Sequence, residues 1–129
     1  MFVADSSVWI EFLAGREGRE VALLELAIER VSRVLLCGPV LQEVLQGIRS
    51  DVDFHRQRVQ LSRFRFLETT RWTYYRAGSL YRLARRNGMT VNSFDTTIAA
   101  VCLEHSVPLL TLNRRDFEPF ARHAGLTLA

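Results

Sequence analysis

Lysine is absent from the sequence, and all 17 of its basic residues are arginine. Against 14 acidic residues, this leaves a formal net charge of +3 and a pI of about 9.4. The guanidinium group of arginine can bind two phosphate oxygens at once, which suits a polyanionic partner. The use of arginine for every basic residue can equally reflect genomic base composition. Cysteine is nearly absent as well. Cys37 and Cys102 are too few and too isolated for a disulfide framework or a zinc site, so we expect two buried free thiols.

Long apolar runs are also missing. No segment approaches the ~18 apolar residues needed to span a bilayer, and no basic segment precedes the N-terminal apolar run, as it would in a signal peptide. The sequence therefore predicts a soluble, cytoplasmic protein without membrane contact. With 129 residues, of which 48% are hydrophobic, it also predicts one core and a single domain over residues 1–129.

Short apolar segments alternate with helical patterns along the chain. The predicted strands cover residues 2–4, 34–36, 66–68, 108–111 and 126–128. The predicted helices cover residues 6–13, 19–31, 38–48, 51–65, 71–87 and 93–105, with a short helical turn after Asn113. Ser6 or Ser7 is expected to cap the first helix. Helices between short apolar strands are typical of a parallel sheet covered on both faces, which predicts an α/β fold with three α/β/α layers.

Four acidic residues follow four different predicted strands. In a parallel α/β sheet, ligand-binding groups gather at the carboxyl ends of the strands, near the point where strand order reverses. Asp5 follows the first strand, and Glu43 lies on the helix after the second. Asp95 lies in the first turn of the helix that begins near Ser93, and Asp116 follows the fourth strand. The pattern predicts an acidic cluster at one edge of the sheet.

Each of these acids also has a structural interpretation. Asp5 could cap the first helix, although either of the neighbouring serines could also cap it. Glu43 lies away from the centre of the apolar face of its helix, and this position by itself predicts an ordinary exposed glutamate. Asp116 stands three residues after Asn113, the spacing of a capping box. Asp95 is more informative, because it falls beside the apolar face of its helix, where an unpaired charge is costly to bury.

The four acids together indicate a cation. Two carboxylates ~4 Å apart repel by about 4 kcal/mol at a typical effective dielectric, so a converging cluster must take up protons or bind a cation. Oxygen ligands select hard ions such as Mg²⁺ or Mn²⁺, and His55, His105 and His123 share no zinc-ligand spacing. Such ions can polarise a phosphodiester and activate a water molecule without a covalent nucleophile.

Four co-linear motifs resemble those of PIN-domain nucleases. They are Ala-Asp-Ser-Ser-Val-Trp-Ile-Glu-Phe-Leu (4–13), Pro-Val-Leu-Gln-Glu-Val-Leu-Gln-Gly (39–47), Asn-Ser-Phe-Asp-Thr-Thr-Ile-Ala-Ala (92–100) and Leu-Thr-Leu-Asn-Arg-Arg-Asp-Phe (110–117). In order and spacing they are similar to the VapC toxins of bacterial toxin–antitoxin pairs. Each motif is short and degenerate, but four in sequence over the whole chain are specific.

The resemblance implies a PIN-like α/β/α sandwich with Mg²⁺- or Mn²⁺-dependent endoribonuclease activity. It also implies RNA as substrate, homodimerisation, and inhibition by a cognate VapB-type antitoxin. By motif match, the acidic quartet is Asp5, Glu43, Asp95 and Asp116. Ser6 or Ser7 and Thr111 take small hydroxyl positions that could orient a carboxylate or a water on the metal. Many relatives carry aspartate at the position of Asn113, which brings no charge and so weakens any second metal site.

A nuclease also needs basic residues around an acidic centre, because carboxylates repel RNA. The candidates by sequence proximity are Arg82, Arg85, Arg86, Arg114 and Arg115, although a solvated charged face explains any one of them equally well. Phe54, Phe64 and Phe66 alternate with arginines and could stack on bases, but a core position is favoured. Trp9 and Phe12 belong either to the core or to a dimer or antitoxin surface.

Two other functions are compatible with parts of the pattern. An aspartate-based phosphotransfer domain also places an aspartate after its first strand, but residue 7 is serine where dehalogenases have a second aspartate, and no lysine is available to hold a phosphoryl group. A PIN-like RNA- or protein-binding module with weak or no catalysis is the stronger alternative, because Asn113 removes a charge from the centre. The target RNA cannot be read from the sequence.

Overall fold

The computed structural model describes residues 1–129. Its strands are β1 (Phe2–Ala4), β2 (Val34–Cys37), β3 (Arg65–Leu67) and β4 (Leu109–Leu110). Its helices are α1 (Ser6–Leu13), α2 (Arg19–Ile28), α3 (Gly38–Gln46), α4 (Asp51–Leu61), α5 (Arg71–Arg86), α6 (Ser93–Glu104) and α7 (Arg114–Ala124). A 3-10 turn over Val31–Arg33 leads into β2. Strands and helices alternate as the sequence predicts.

The four strands form one parallel sheet in the order β3-β2-β1-β4. All four residues of β2 are buried. Because successive side chains of a strand point to opposite faces, both faces of the sheet are covered. The predicted three-layer α/β/α architecture is therefore confirmed.

Strand order reverses at β1. The chain adds β2 and β3 on one side of β1 and then returns to place β4 on the other side, where Ala4 is in register with Leu110. The residues that follow these two, Asp5 and Thr111, therefore leave the sheet at the same edge. Crevices at such reversal points are the usual ligand sites of parallel sheets.

The core contains 29 buried hydrophobic residues. Trp9 lies in it with 2% of its surface exposed, and its ring packs edge-on against Phe12 and Phe64. Cys37 and Cys102 are both buried and free, which confirms the prediction from their spacing. None of the helices combines the length and apolar character required to cross a bilayer.

Two predictions about the C-terminal region are wrong. The helix after Asn113 is not a short turn, because α7 runs for 11 residues with Pro119 inside it. Proline removes one helical hydrogen bond, but Phe117 and Phe120 are completely buried, and their burial outweighs that loss. The final strand is reduced to a single parallel bridge between Leu109 and Leu128.

The phenylalanines around α4 also differ from expectation. Phe64 belongs to the core, whereas Phe54 and Phe66 are 40% and 39% exposed. Phe54 lies on a helix whose residues are almost all exposed, and Phe66 lies on β3, the edge strand of the sheet. An edge position leaves one side of a strand without a neighbour, so apolar residues there are less completely covered.

Candidate active site

Asp5 occupies the N-cap position of α1, yet its carboxylate forms no capping hydrogen bond to the backbone. The prediction that Ser6 or Ser7 caps this helix is wrong, because both serines lie inside the first turn. The backbone N–H of Asp5 donates to the Leu110 carbonyl oxygen at 2.8 Å, which continues the pairing of β1 with β4. This pairing fixes the aspartate at the reversal point of the sheet and leaves its carboxylate free for other partners.

Three hydroxyl groups lie within hydrogen-bond distance of the Asp5 carboxylate, and those of Thr111 and Ser7 donate to it. Thr111 and Ser7 reach Oδ2 at 2.8 and 2.9 Å, and Ser6 reaches Oδ1 at 3.4 Å. The side chain is almost completely buried, with 2% of the residue exposed. Both oxygens are therefore held in a fixed orientation, which supports the prediction that the small hydroxyl residues orient a carboxylate.

Backbone amides hold two of these hydroxyls in turn. The N–H of Asn113 donates to Thr111 Oγ1 at 2.9 Å, and the N–H of Leu112 donates to Ser7 Oγ at 3.2 Å. Each hydroxyl accepts one hydrogen bond and directs its own proton towards Asp5. The loop after β4 thus fixes the orientation of the Asp5 carboxylate through two intermediate side chains.

Glu43 reaches the same edge from α3. Ser6 Oγ, which already contacts Asp5, lies 3.2 Å from Glu43 Oε1 and is placed to donate to it. Burial raises the pKa of Glu43, the hydrogen bond from Ser6 lowers it, and the charge of Asp5 raises it again. The interpretation of Glu43 as an ordinary exposed glutamate is wrong, because the residue is half-buried and shares a hydroxyl with Asp5.

Asp95 lies in the first turn of α6 and is 8% exposed. Asn92 holds it in both directions: the Asn92 side-chain oxygen accepts from the Asp95 N–H at 2.8 Å, and its side-chain nitrogen donates to Oδ2 at 3.0 Å. Burial raises the pKa of Asp95 to about 7, and the charges of Asp5, Asp116 and Glu43 add to this effect. The predicted position on the apolar side of the helix is confirmed.

Asp116 is the most exposed of the four acids. The predicted capping box with Asn113 does not form, because the Asn113 side chain makes no capping bond and only its backbone carbonyl accepts from the Asp116 N–H at 2.9 Å. Asn92 and Asp95 have the same spacing, and there the asparagine side chain does accept from the Asp95 N–H and also donates to its carboxylate. The charge of Asp116 raises the pKa of Asp95, so Asp116 interacts electrostatically with the acids at this edge of the sheet.

We call Asp5, Glu43, Asp95 and Asp116 the acidic centre. None of its members takes part in the four ion pairs of the protein, which involve Arg16, Arg19, Arg56 and Arg122. The five arginines predicted to bind RNA are all exposed. Arg114 donates to the Ala129 carbonyl oxygen at 2.8 Å, and Arg115 borders a separate cavity with Pro119. No arginine thus neutralises the acidic centre.

The chemistry of these donors fits a hard divalent cation. Four carboxylates and three hydroxyls supply oxygen alone, and none of the four acids forms an ion pair with a basic side chain. No three acidic side chains converge as a complete cation cage. Mg²⁺ does not need such a cage, because it usually keeps several waters and binds through one or two carboxylates.

Comparison with known proteins agrees with the motifs. A family model of the PIN domain matches residues 2–126. The chain belongs to the PIN-domain family. This PIN domain is 30% identical to VapC ribonuclease Mb1587 of Mycobacterium bovis and to ribonuclease VapC11 of Mycobacterium tuberculosis, over its full length and 98% of theirs. The resemblance to VapC proteins is therefore confirmed.

Solved structures share the fold of this PIN domain. VapBC2 from Rickettsia felis, bound to a DNA fragment from its promoter, superposes with a TM-score of 0.78 and 17% identity, covering 99% of this chain and 96% of that one. FitAcB from Neisseria gonorrhoeae gives a TM-score of 0.75 and 22% identity, with the same coverage. At these identities the similarity establishes the fold.

Sequence reasoning missed the contact that Asn92 makes with Asp95. The Asn92 side chain caps α6, and its amide nitrogen also donates to the Asp95 carboxylate of the acidic centre. The available signal was the spacing of three residues between the two, which marks a reciprocal capping pair. The same three-residue spacing was interpreted as a capping box at Asn113 and Asp116, where the Asn113 side chain forms no capping hydrogen bond.

Proposed function

We propose that this PIN domain is an endoribonuclease that hydrolyses phosphodiester bonds of cellular RNA. The observation that carries the proposal is the buried Asp5 carboxylate at the reversal point of the sheet. It is oriented by three hydroxyls, and no basic side chain neutralises it or the acids near it. A carboxylate held in this way is prepared for a cation and a substrate rather than for an internal ion pair. The ribonuclease names of the relatives at 30% identity support the same activity.

We propose Mg²⁺ or Mn²⁺ as the cofactor, held by Asp5 and Asp95 with Glu43 and Asp116 in support. When bound, such an ion supplies polarisation of the phosphodiester and activation of the attacking water. The residues of the chain set its position. Thr111 and Ser7 fix Oδ2 of Asp5, Ser6 bridges Asp5 and Glu43, and Asn92 fixes Oδ2 of Asp95.

The RNA would approach across a surface with an excess of arginine. Arg82, Arg85 and Arg86 are exposed on α5, Arg114 and Arg115 are exposed in the first turn of α7, and none forms an ion pair. Their charge counters the repulsion between RNA and the acidic centre and makes binding depend on salt. These five residues remain the proposed RNA contacts.

We further propose that the ribonuclease is the toxin of a toxin–antitoxin pair, acts as a homodimer, and is inhibited by a VapB-type antitoxin. A groove among α1, α2 and α4 is suited to such a partner. It is lined by Phe12, Leu13, Ile28 and Leu61, and Trp9 lies at its base.

The decisive experiment incubates the purified protein with RNA and Mg²⁺ or Mn²⁺ and maps the new 5′ ends, beside an Asp5→Asn control and a chelator control. We expect cleavage that requires both the metal and Asp5. Cleavage that survives unchanged in Asp5→Asn would contradict the proposal. If calorimetry detects no Mg²⁺ or Mn²⁺ binding and no RNA is cleaved, the binding-module function replaces the nuclease.

A further inference from the structure

A second concave site lies beside the acidic centre and carries no charge. This cavity of about 330 Å³ is lined by Gly38, Pro39, Gln42, Thr69, Tyr74, Ser93, Phe94 and Thr97. Its volume falls within the ~300 to 1,000 Å³ range of small-molecule sites. None of its eight residues is acidic or basic, although the acidic centre begins one residue away on two elements.

The acidic centre and the cavity share two helices, α3 and α6. On α3, Gln42 lines the cavity and the next residue, Glu43, bonds to Ser6 in the acidic centre. On α6, Phe94 lines the cavity and the next residue is Asp95. Consecutive helical residues point about 100° apart, so each helix presents one side chain to each site. A ligand in the cavity therefore lies directly beside a group bound at the acids.

The cavity wall combines aromatic surface with neutral hydrogen-bonding groups. Tyr74 is 57% exposed, and its hydroxyl lies 3.3 Å from Thr69 Oγ1, which steadies the ring. Phe94 and Pro39 add half-buried apolar surface. The amide of Gln42 has no hydrogen-bond partner within the protein, and it can both donate and accept.

Resting on the proposed ribonuclease activity, we propose that this cavity, the base pocket, binds the unstacked base of the nucleotide adjacent to the cleaved phosphodiester. A base is the neutral part of a nucleotide, so it suits an uncharged pocket next to a phosphate-binding centre. Proteins recognise single-stranded RNA by stacking bases on aromatic rings and by hydrogen bonds to base edges. Tyr74 supplies the stacking surface, and Gln42 supplies the group that distinguishes one base from another.

The test uses short single-stranded RNA oligonucleotides that carry each of the four bases, or an abasic residue, at positions flanking the mapped cleavage site. We expect the abasic residue at one flanking position to lower kcat/KM of the wild-type protein about tenfold. Tyr74→Ala should lower kcat/KM on intact RNA by a similar factor and respond no further to the abasic residue. Tyr74→Phe keeps the ring and should retain the response, and Gln42→Leu should weaken the preference among bases at that position.

Tyr75→Ala is the matched control. Tyr75 is a neighbouring tyrosine with 59% exposure, but it packs against Trp72 and does not line the base pocket. It should leave the base preference and the abasic response unchanged. The proposal is overturned if Tyr74→Ala remains as sensitive to the abasic residue as the wild type. It is also overturned if Tyr74→Ala changes the oligomeric state in light scattering without changing the base preference, because the cavity would then be an interface between copies.

A binding measurement separates failure of the pocket from failure of the ribonuclease proposal. Fluorescence anisotropy with the Asp5→Asn protein compares intact RNA with RNAs that carry an abasic residue at each position in turn, with and without Tyr74→Ala. If no RNA is cleaved by the wild type but Tyr74→Ala removes base-dependent binding, the pocket stands and the nuclease proposal fails. If RNA is cleaved while base-dependent binding survives Tyr74→Ala, the nuclease stands and the pocket fails.

Discussion

The acidic centre and the base pocket are neighbours that share α3 and α6 but are built on opposite principles. The acidic centre contains four carboxylates without an ion-pair partner. Burial, to which the charges of the other three acids add, raises the pKa of Asp95 to about 7. The base pocket has no charged residue and offers aromatic rings, an amide and hydroxyls. The acidic centre carries negative charge that no basic side chain pairs with, whereas the base pocket carries no charge. The contrast is the basis for proposing the phosphate and its cation at the first site and a base at the second.

This difference also sets what each site can contribute to cleavage. Groups that stabilise charge developing in a transition state act on kcat, whereas groups that hold a remote part of the substrate act through position and specificity. Changes in the acidic centre should therefore cause the largest losses of activity, and changes in the base pocket should cause smaller losses and alter the preference among sequences. The experiments below test this division from the largest expected effect to the smallest.

Asp5→Asn should lower kcat/KM by about 10³-fold or more, because it removes a charge from the site where the cation and phosphate meet. Asparagine has nearly the same shape as aspartate and can still accept from Thr111 and Ser7, so the fold should persist. Cleavage of a fluorescent RNA, with thermal unfolding as a folding control, measures both. Asp116→Asn is the matched change at an exposed member of the centre and should have a smaller effect. Equal effects at the two positions would contradict the arrangement.

Thr111→Val should lower kcat/KM about tenfold to a hundredfold. Valine keeps the shape of threonine but loses the hydroxyl that donates to Asp5 at 2.8 Å and accepts from the Asn113 N–H at 2.9 Å. Thr111→Ser restores the hydroxyl and should recover most of the activity, which distinguishes a positioning role from a packing role. A serine variant as impaired as the valine variant would show that packing, rather than the hydrogen bond, is what matters at this position.

The sequence predicts the acidic centre better than it predicts the base pocket, for a physical reason. Buried strands appear in the sequence as short apolar runs, and an acid directly after such a strand lies at the edge of the sheet, so Asp5 could be predicted. Asp95 follows a helix rather than a strand, and its place beside the apolar face of α6 was the signal that predicted it. The base pocket combines residues from α3, α5, α6 and the segment before α5, none of which stands out alone. Tyr74 looks like any aromatic residue on an amphipathic helix, and only the packing of α5 against α6 brings it to Phe94.

The errors have the same origin. Phe66 has the hydrophobicity of a core residue, but its place on an edge strand leaves it 39% exposed. The predicted short turn after Asn113 is the 11-residue helix α7, which continues through Pro119 because Phe117 and Phe120 are buried against the core. Local patterns determine which elements form, while the environment of a side chain depends on what packs against it.

The raised pKa of Asp95 makes the stability of the metal-free protein depend on pH. Its folded value is about 7, against 3.8 for the ordinary side chain, so the folded state holds a proton that the unfolded state releases between these values. Stability should therefore fall as pH rises from about 4 to 7, by about 1 to 2 kcal/mol after allowance for solvent screening. Thermal unfolding in the presence of a chelator measures it, and Asp95→Asn should flatten the profile.

Added Mg²⁺ or Mn²⁺ should reverse this trend. The ion binds the ionised carboxylate, so the rise in Tm on adding metal should be larger at pH 8 than at pH 5.5. The stabilisation at saturating metal should also require Asp95. An increase in Tm that is the same at both pH values would show that the cation binds elsewhere.

Asn113→Asp should produce the smallest effect, an increase of about threefold to tenfold in affinity for Mn²⁺. The Asn113 side chain is exposed and makes no capping bond, while its backbone N–H holds Thr111, so a carboxylate can be added without breaking the existing network. Calorimetric titration measures the affinity, and Gln60→Glu adds the same charge on α4 as a control. Equal increases in both variants would mean that long-range charge, rather than a ligand at residue 113, attracts the cation. An increase confined to Asn113→Asp would show that the acidic centre extends to the loop after β4, so that a neutral side chain there limits how strongly it holds metal.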